Sequence, residues 1–422
     1  MYDRLKQRGL LVEDVYGLER LVDDYRCINL HLFMDAGLHI AVLTNRCNLG
    51  CVYCQTNSKS QCDMDRNTAS KVLEFIFSVR NPNINIEFQG GEPLLNWQTL
   101  RFFIDYTRRY NLTGRKVSLS LVSNFTLLDD EKLKFLIDNE VNLCASLDGP
   151  KKIHDIQRKA IDGTPSYDKV IYWLEKIKKE YKRRKVANKT IGALLTITKY
   201  SLPYYKQIVD EYVKLGFFSL PLRPLNKIGE AKEHWSEFGY TAEEFIDFWR
   251  KSMDYMLQLN RKGVFIYERL AQAMLKKILN REDPGYVDLC SPCGAGRSTL
   301  AYSPQGDVYT CDEARMIGED LFKLGSVLNN SYEEIAGSPL LMQACQASLL
   351  NFFDYSSPYS TFGGSCPVLN YLEQGSPVCK MAESSFSKIQ RAQFRYLFER
   401  MAEDNSALSI FKSWVDKDKK GG

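Results

Sequence analysis

Three cysteines in the spacing C-x3-C-x2-C, Cys47-Asn-Leu-Gly-Cys51-Val-Tyr-Cys54, stand directly after the apolar run His39-Ile-Ala-Val-Leu-Thr44. Thiolates this close along one loop converge on a single metal centre, so the strand that delivers the loop and the segments that cover it are tied to one place in the fold. Three thiolates can hold three irons of a [4Fe-4S] cube and leave the fourth iron open for chemistry. A zinc knuckle is the alternative, but structural zinc takes four ligands, mostly as paired C-x2-C or Cys/His sets. The nearest further candidate, Cys62, lies eight residues on and does not complete such a set.

At 422 residues the chain can bury a sizeable core, either as two domains or as one barrel with additions. Its 56 basic and 52 acidic residues nearly cancel, which argues against a phosphate-tracking surface and so against nucleic acid as a partner. The opening Met1-Tyr-Asp-Arg-Leu-Lys-Gln-Arg8 is charged and mixed, unlike a signal peptide, and no run of 18 or more apolar residues reads as a membrane span. Twelve cysteines in such a chain point to metal ligation in a reducing, bacterial-type cytoplasm rather than to a disulfide framework.

Residues 1–38 read as a lead-in with helical spacing over 16–25, too short for a winged-helix peptide-binding module. From His39 to about Pro224, β-rich runs at 40–44, 84–88, 117–122, 141–147, 191–198 and 217–222 alternate with amphipathic stretches near 68–79, 96–110, 129–139, 166–180 and 203–214. A further helix is expected near 241–260. Alternation of this kind predicts parallel strands joined by right-handed crossovers, and six units fit a partial, open barrel better than a closed one of eight. Parallel α/β architectures place their sites at the C-terminal ends of the strands, and the polar and glycine-rich motifs of this chain fall there. Residues 232–289 read as a charged helical bridge whose aromatics, Trp235, Phe238, Tyr240, Phe245, Phe248 and Trp249, belong to the core.

The cysteine loop resembles that of the radical S-adenosylmethionine (SAM) enzymes. The resemblance implies that Cys47, Cys51 and Cys54 bind a [4Fe-4S] cluster whose open iron is chelated by SAM, and that an electron delivered into the sulfonium releases a 5′-deoxyadenosyl radical able to abstract hydrogen from substrate. It also implies an electron donor such as a flavodoxin or ferredoxin, and a six-unit barrel. Glu87-Phe-Gln-Gly-Gly-Glu-Pro93 matches the family's GGEP motif, so Gln89, Gly90, Gly91 and Glu92 are expected to hold the SAM amino group. Adjacent glycines permit close backbone approach and Glu92 can accept a hydrogen bond from an ammonium; a tight turn is the bland reading. Ser123-Asn-Phe-Thr-Leu-Leu128 is similar to TNGTLL, which places Asn124 at the SAM ribose and Phe125 where relatives have glycine. Ser146-Leu-Asp-Gly149 and His154-Asp-Ile-Gln-Arg158 are close to SLDG and HDxxR, which puts Ser146 and Asp148 on the SAM or substrate side, while His154 reads as a core histidine. The segment Arg223-Pro-Leu-Asn-Lys-Ile-Gly-Glu-Ala231 matches RPLxxxGxA, with Gly229 at a turn.

A second group of cysteines begins with Cys290-Ser-Pro-Cys293 and continues with Cys311, Cys345, Cys366 and Cys379. A hairpin signal at Pro304-Gln-Gly-Asp307, between two β-rich runs, brings Cys293 and Cys311 together. Thiolates alone do not separate a zinc ribbon from an iron–sulfur site. The spacing C-x12-G-x4-C through Gly306 resembles the SPASM domain, the auxiliary-cluster extension of peptide-modifying radical SAM enzymes, and implies that Cys290, Cys293, Cys311 and Cys366 ligate an auxiliary [4Fe-4S] cluster. A second auxiliary cluster is not expected, because only Cys345 and Cys379 remain for it. Ser348 and Phe362 stand where its thiolates would be, and neither replaces a soft ligand. Short matches at 38–40, 53–55 and 364–371 look like the His-Xaa-Ser system maturases.

The expected fold class is therefore α/β: a partial (β/α)6 radical SAM barrel over 39–231, after a lead-in at 1–38 and before a bridge at 232–289, a SPASM-like cysteine-rich domain at 290–385 and a C-terminal helix and tail at 386–422. The expected function is a peptide maturase that abstracts hydrogen from a ribosomal precursor peptide and forms a crosslink such as a cyclophane, with the auxiliary cluster accepting an electron. A second reading is a sulfatase-type maturase that oxidises Ser or Cys to formylglycine. It gains from Asp312, next to Cys311, since relatives have a proton-accepting Asp there; the bland alternative makes Asp312 and Glu313 solvated loop acids. The third reading, a binding protein with structural clusters or zinc, is disfavoured by the intact Gly-Gly-Glu-Pro.

Overall fold

The computed structural model describes residues 35–56, 61–111, 114–186, 189–280, 282, 284–350, 359 and 362–416, together with positions 2, 15, 17–19, 22 and 23. The lead-in helix expected over 16–25 lies largely outside the described residues, and the positions described within it are helical.

Along Asn83–Gln89, Ile84, Ile86 and Phe88 are buried while the residues between them are not, the two-residue period of a strand with one face against helices. Six such strands, β1 (Leu38–Val42), β2 (Asn83–Gln89), β3 (Lys116–Ser123), β4 (Asn142–Ser146), β5 (Gly192–Thr196) and β6 (Leu222–Arg223), lie side by side in sequence order, each parallel to the next. This is the expected open barrel wall. Helices α1 (Arg66–Ser78), α2 (Trp97–Tyr110), α3 (Asp130–Asp138), α4 (Lys151–Gln157), α5 (Tyr167–Arg183) and α6 (Tyr205–Lys214) connect the strands, and α7 (Ala242–Arg261) follows them. Each helix buries one stripe; in α5 the stripe is Val170, Trp173, Leu174, Ile177 and Tyr181 at three- and four-residue spacing. Side-chain caps mark the starts of α1 (Asp65), α3 (Asp129) and α7 (the Thr241/Glu244 capping box). The bridge aromatics Phe238, Tyr240, Phe245, Phe248 and Trp249 are buried as expected. No helix among the described residues is long and apolar enough to cross a membrane.

The structure departs from the sequence reading in three places. The run expected over 217–222 is split at Pro221, which cannot donate to a ladder; Ser219–Leu220 pairs with Tyr267–Glu268, and only Leu222–Arg223 joins the sheet. The short ribbon of Leu49–Cys51 with Arg158–Ala160, and α4 before it, give no periodic signal of their own. Finally, the hairpin around Gln305 is present, as β7 (Thr299–Tyr302) and β8 (Asp307–Tyr309), with β9 (Lys323–Ser326) beside it. That hairpin does not stand apart, because β7 lies parallel to β1, and a single nine-stranded sheet runs from β9 through β8, β7 and β1 to β6.

His39 fastens this junction. It is fully buried on β1, its Nδ1 accepts from the Tyr302 hydroxyl on β7 (2.7 Å) and its Nε2 donates to the Ala36 carbonyl (3.1 Å). Burial lowers its pKa from 6.5 to about 4, against the opposing Ala36 bond. The folded protein thus refuses a proton that the unfolded chain binds below about 6.5, so this contribution is intact above that pH and is lost as pH falls toward 4. Each pH unit in the window is worth about 1.4 kcal/mol. We expect His39→Phe to be less stable than the parent at pH 7.5 but to lose about 1–2 kcal/mol less between pH 7.5 and 5.5 in denaturant unfolding of metal-free protein; equal losses would assign the acid sensitivity to other groups.

Candidate active site

The loop carrying Cys47, Cys51 and Cys54 leaves the C-terminal end of β1 and is gripped by segments that follow the other strands. Beyond β2, the Gly91 and Glu92 amides donate to the Thr44 and Arg46 carbonyls, each at 2.8 Å. A side chain on Gly90 would put its Cβ 2.6 Å from the Thr44 carbonyl oxygen, and one on Gly91 would collide with that of Arg46. The paired glycines are required there by backbone meeting backbone, and the partner they approach is the cysteine loop. Arg46 is held in turn by Asp63 through Nε (2.9 Å) and Nη2 (2.5 Å).

Glu92 is buried and ties two motifs together. Its Oε1 accepts from Leu94 N (3.0 Å) and Ser123 Oγ (2.8 Å), and its Oε2 accepts from Asn124 N (2.8 Å). Burial raises its pKa to about 7 in spite of those bonds. Asn124 reaches the loop itself: Nδ2 donates to Asn48 Oδ1 (3.0 Å) and Oδ1 accepts from Thr126. Phe125, in the glycine position of the related motif, has φ 58° and is fully buried. A left-handed backbone costs a non-glycine residue about 1–2 kcal/mol, and burying a phenylalanine returns about 1.5–3 kcal/mol, so the glycine geometry survives the substitution.

Asp148 serves the loop instead of standing open toward a ligand. Its carboxylate is fully buried and accepts from Tyr53 Oη (2.5 Å), Gln157 Nε2 (2.9 Å), Arg158 Nε (2.9 Å) and Thr196 N (3.1 Å). Arg158 also lies 3.8 Å from Cys51 Sγ through Nη1 and pairs backbone with Cys51 across the short ribbon. The positive charge opposes the burial that raises the Cys51 thiol to about 12, as burial also raises Cys47 to about 11. His154 is a core histidine: Nδ1 accepts from Asp148 N (3.3 Å), Nε2 donates to Ser166 (3.0 Å), and burial lowers its pKa to about 4. Beyond β6, Glu230 N donates to the Cys54 carbonyl (2.8 Å), Gln55 Nε2 donates to Asn226 O (3.0 Å), and Gly229 lies where a Cβ would be 2.7 Å from the Cys54 oxygen. Gln89, Ser146, Glu87 and Cys144 occupy the less buried face of β2 and β4, with Gln89 Nε2 donating to Glu87 (2.6 Å).

Three cysteines of the second group line a small cavity, about 20 Å³, whose wall includes Cys293, Cys311, Cys366, Thr310 and Glu313. Cys290 is buried, its Sγ directed at the Tyr286 carbonyl (3.3 Å), and Gly364 packs on the Cys290 backbone oxygen, where a Cβ would be 2.5 Å away. Ser348 accepts from Cys293 N (2.8 Å) and donates to Cys345 O (2.6 Å), while Phe362 packs against Phe394 and Phe398. Both residues that stand in thiolate positions of a second auxiliary cluster are thus engaged in other contacts. An adjoining cavity of about 50 Å³ is lined by Arg223, Arg269, Tyr286, Asp288, Glu313 and Cys366 among others.

Asp312 is not a solvated loop acid, and Glu313 is half-buried; both lie in the first turn of the helix Asp312–Ile317. Asp312 is buried and held by Arg315 through Nε (2.9 Å) and Nη2 (2.8 Å), and it lines neither cavity. Glu313 lines both and lies 3.4 Å from Arg223. Burial raises the pKa of Glu313 and of Asp288; the charge of Asp288 adds to the effect on Glu313, and Arg223 opposes both. Neither Asp288 nor Glu313 was singled out by a sequence motif. Position next to a presumed ligand was the available signal, and it points equally to Asp312.

Residues 41–199 match the model of the radical SAM superfamily. The cysteine-type anaerobic sulfatase-maturating enzyme of Clostridium perfringens is 25% identical over 310 residues, covering 71% of this chain and 79% of that enzyme. An uncharacterized protein of Methanocaldococcus jannaschii is 31% identical over 202 residues, covering 48% of this chain and 66% of that protein. Among solved structures, anSMEcpe with bound AdoMet superposes with a TM-score of 0.74 at 20% identity, over 90% of this chain and 98% of that one. Streptococcus suis SuiB bound to S-adenosylmethionine superposes with a TM-score of 0.60 at 13% identity, over 89% and 84%. Three thiols on one loop, with a guanidinium beside the middle sulfur, suit a [4Fe-4S] cube that keeps an iron open. Residues 41–199 are thus a radical SAM domain, which makes this an enzyme of the [4Fe-4S] cluster and SAM, and the chain around that domain resembles maturases that carry an auxiliary domain.

Proposed function

We propose that the protein is a peptide maturase in which Cys47, Cys51 and Cys54 hold the SAM cluster, Gln89, Gly90, Gly91, Glu92, Asn124 and Ser146 shape the SAM site, and Cys290, Cys293, Cys311 and Cys366 hold one auxiliary cluster. When bound, the loop cluster supplies the electron that cleaves SAM, and the radical so formed takes a hydrogen atom from the peptide. The single observation that carries the reading is the shared wall between the two cavities: Cys366 and Glu313 border both the cysteine-lined cavity and the polar cavity beside Arg223. A peptide residue at the mouth of the polar cavity would thereby stand next to a cluster held by these cysteines and next to a carboxylate. Crosslinking removes two hydrogens from the peptide, one as an atom and one as a proton with its electron, for which a cluster held by Cys290, Cys293, Cys311 and Cys366 would be the acceptor. Glu313, with Asp288 beside it, takes that proton, because the ion pair with Arg315 turns Asp312 away from both cavities.

Relatives lend support to a peptide substrate, since SuiB has been seen bound to the precursor peptide SuiA and anSMEcpe to peptides. The extent of the match to the Clostridium perfringens enzyme favours formylglycine formation as the second reading. Tandem mass spectrometry of precursor peptides co-expressed with the protein separates the two: a crosslink appears as loss of two hydrogens with no carbonyl, whereas formylglycine forms a hydrazone.

Glu313→Gln should retain SAM cleavage while lowering modified peptide by about 10²–10⁴, the range for losing a general base. Asp312→Asn should stay within about tenfold of the parent, since a positioned acid acting only through Arg315 contributes less than the base itself. The opposite ranking, read by deoxyadenosine and product yields on one preparation, would return the proton to Asp312. Iron and sulfide analysis with Mössbauer quantitation of anaerobic protein should give about eight irons per chain, two cubes. About twelve would mean a second auxiliary cluster, and about four would remove the electron-acceptor role from the C-terminal cysteines.

A further inference from the structure

At the N-terminal ends of β5 and β6, the end of the sheet away from the cysteine loop, an open groove of about 1060 Å³ runs between α5 and the segments that enter the two strands. Lys178, Lys182, Lys185, Lys189 and Lys214 line it against a single acid, Glu175. Two of the five are engaged, Lys178 with Glu175 (2.9 Å) and Lys214 with Glu211 (3.6 Å). Lys182, Lys185 and Lys189 form no ion pair among the described residues. Lys189 Nζ and Tyr181 Oη are shut off from solvent on the groove wall and have no hydrogen-bond partner among the described residues. Leaving an ammonium and a phenol buried without acceptors is costly, and burial lowers the pKa of Lys189 accordingly, with Glu140 and Arg108 as the charges that act on it from the neighbouring elements. Carboxylates entering the groove would supply what both groups lack.

Size and lining narrow the occupant. Small-molecule sites occupy about 300–1,000 Å³; this groove stands at the top of that range and lies open to solvent, which suits a polymer segment laid along it. Its other side is apolar and aromatic, with Phe217, Phe218 and Tyr267, and Phe218 is 45% exposed. Its cations are all lysines, without the arginine forks that grip phosphates bidentately.

We propose that this groove binds an extended acidic peptide carrying apolar side chains, the part of the substrate that anchors it while its reacting residue lies at the opposite end of the barrel. The identity of that peptide as substrate rests on the maturase reading; the affinity of the groove does not. A five-residue strand spans about 17 Å at about 3.3 Å per residue. Anchor and reacting residue should therefore be separated by at least about six residues of extended chain.

The test is fluorescence anisotropy on the anaerobic holoenzyme with a labelled glutamate-rich peptide containing leucine and phenylalanine, beside a glutamine-for-glutamate counterpart and an oligothymidylate of equal length. The glutamate peptide should bind, salt should weaken it, and the glutamine peptide should bind at least about tenfold more weakly, the loss of about 1.4 kcal/mol. Lys182→Gln/Lys185→Gln/Lys189→Gln should weaken binding about tenfold or more, and Tyr181→Phe more modestly, while SAM cleavage stays at the parental rate and reports an intact fold. Equal binding of the two peptides, no effect of the triple substitution, or oligothymidylate binding as tightly as the glutamate peptide would each overturn the proposal. Peptide binding that persists in a preparation unable to modify any peptide would sink the maturase reading and leave the groove standing.

Discussion

The Asp148 carboxylate is the interaction on which the site depends. It is closed to solvent, and it draws Tyr53 from the cysteine loop, Gln157 and Arg158 from the end of α4, and the Thr196 amide from β5 to one point. Removing one member of a buried pair leaves a charge without compensation and costs about 3–5 kcal/mol. Local stability matters less here than aim. Arg158 reaches Cys51 only because Asp148 fixes its Nε, so the direction of the middle sulfur is set by residues roughly a hundred positions away in the chain. The glycine pair after β2 and the turn at Gly229 do similar work on either side of the loop, through backbone instead of charge. Taken together, the motifs after β2, β3, β4 and β6 form a cradle for the loop before they form one for any ligand.

Much of this was legible in the sequence because barrel strands and their helices carry strong periods. Ile84, Ile86 and Phe88 announce β2, and the stripe from Val170 to Tyr181 announces α5. The glycine pair reads in the sequence as a place where backbone approaches a ligand closely, and what it meets in the fold is the backbone of the cysteine loop. The role of Asp148 was hidden for the same reason, since all four of its partners lie outside its own motif or on a three-residue ribbon too short to alternate. Pairing of β7 with β1 joins segments some 260 residues apart, and no local pattern encodes it. Asp312 and Glu313 show the limit most sharply. Both are acids close after a cysteine and both are ion-paired, Asp312 with Arg315 on its own helix and Glu313 with Arg223 beyond β6, and only the second borders both cavities.

Around the C-terminal cysteines, ordinary side chains hold the loops. Ser348 satisfies the Cys293 amide and Phe362 joins an aromatic group with Phe394 and Phe398. A hydroxyl that caps a backbone amide and a ring that fills volume each contribute about 1 kcal/mol or more to folding. Part of the structural duty that a metal centre performs in holding irregular loops is here carried by ordinary packing.

Placing β7 against β1 has a further meaning for how such a chain can be cut or rearranged. The hydrogen-bonding edge of β1 that faces away from β2 is covered by a strand encoded some 260 residues later. If the cysteine-rich region were deleted, that edge would be left as a row of unpaired amides and carbonyls beside an apolar face, the kind of surface that recruits strands from other molecules. The two halves are therefore not exchangeable cassettes. A shortened version of this protein would need a replacement edge, such as a charged or proline-bearing strand, to keep β1 from pairing with strands of other molecules.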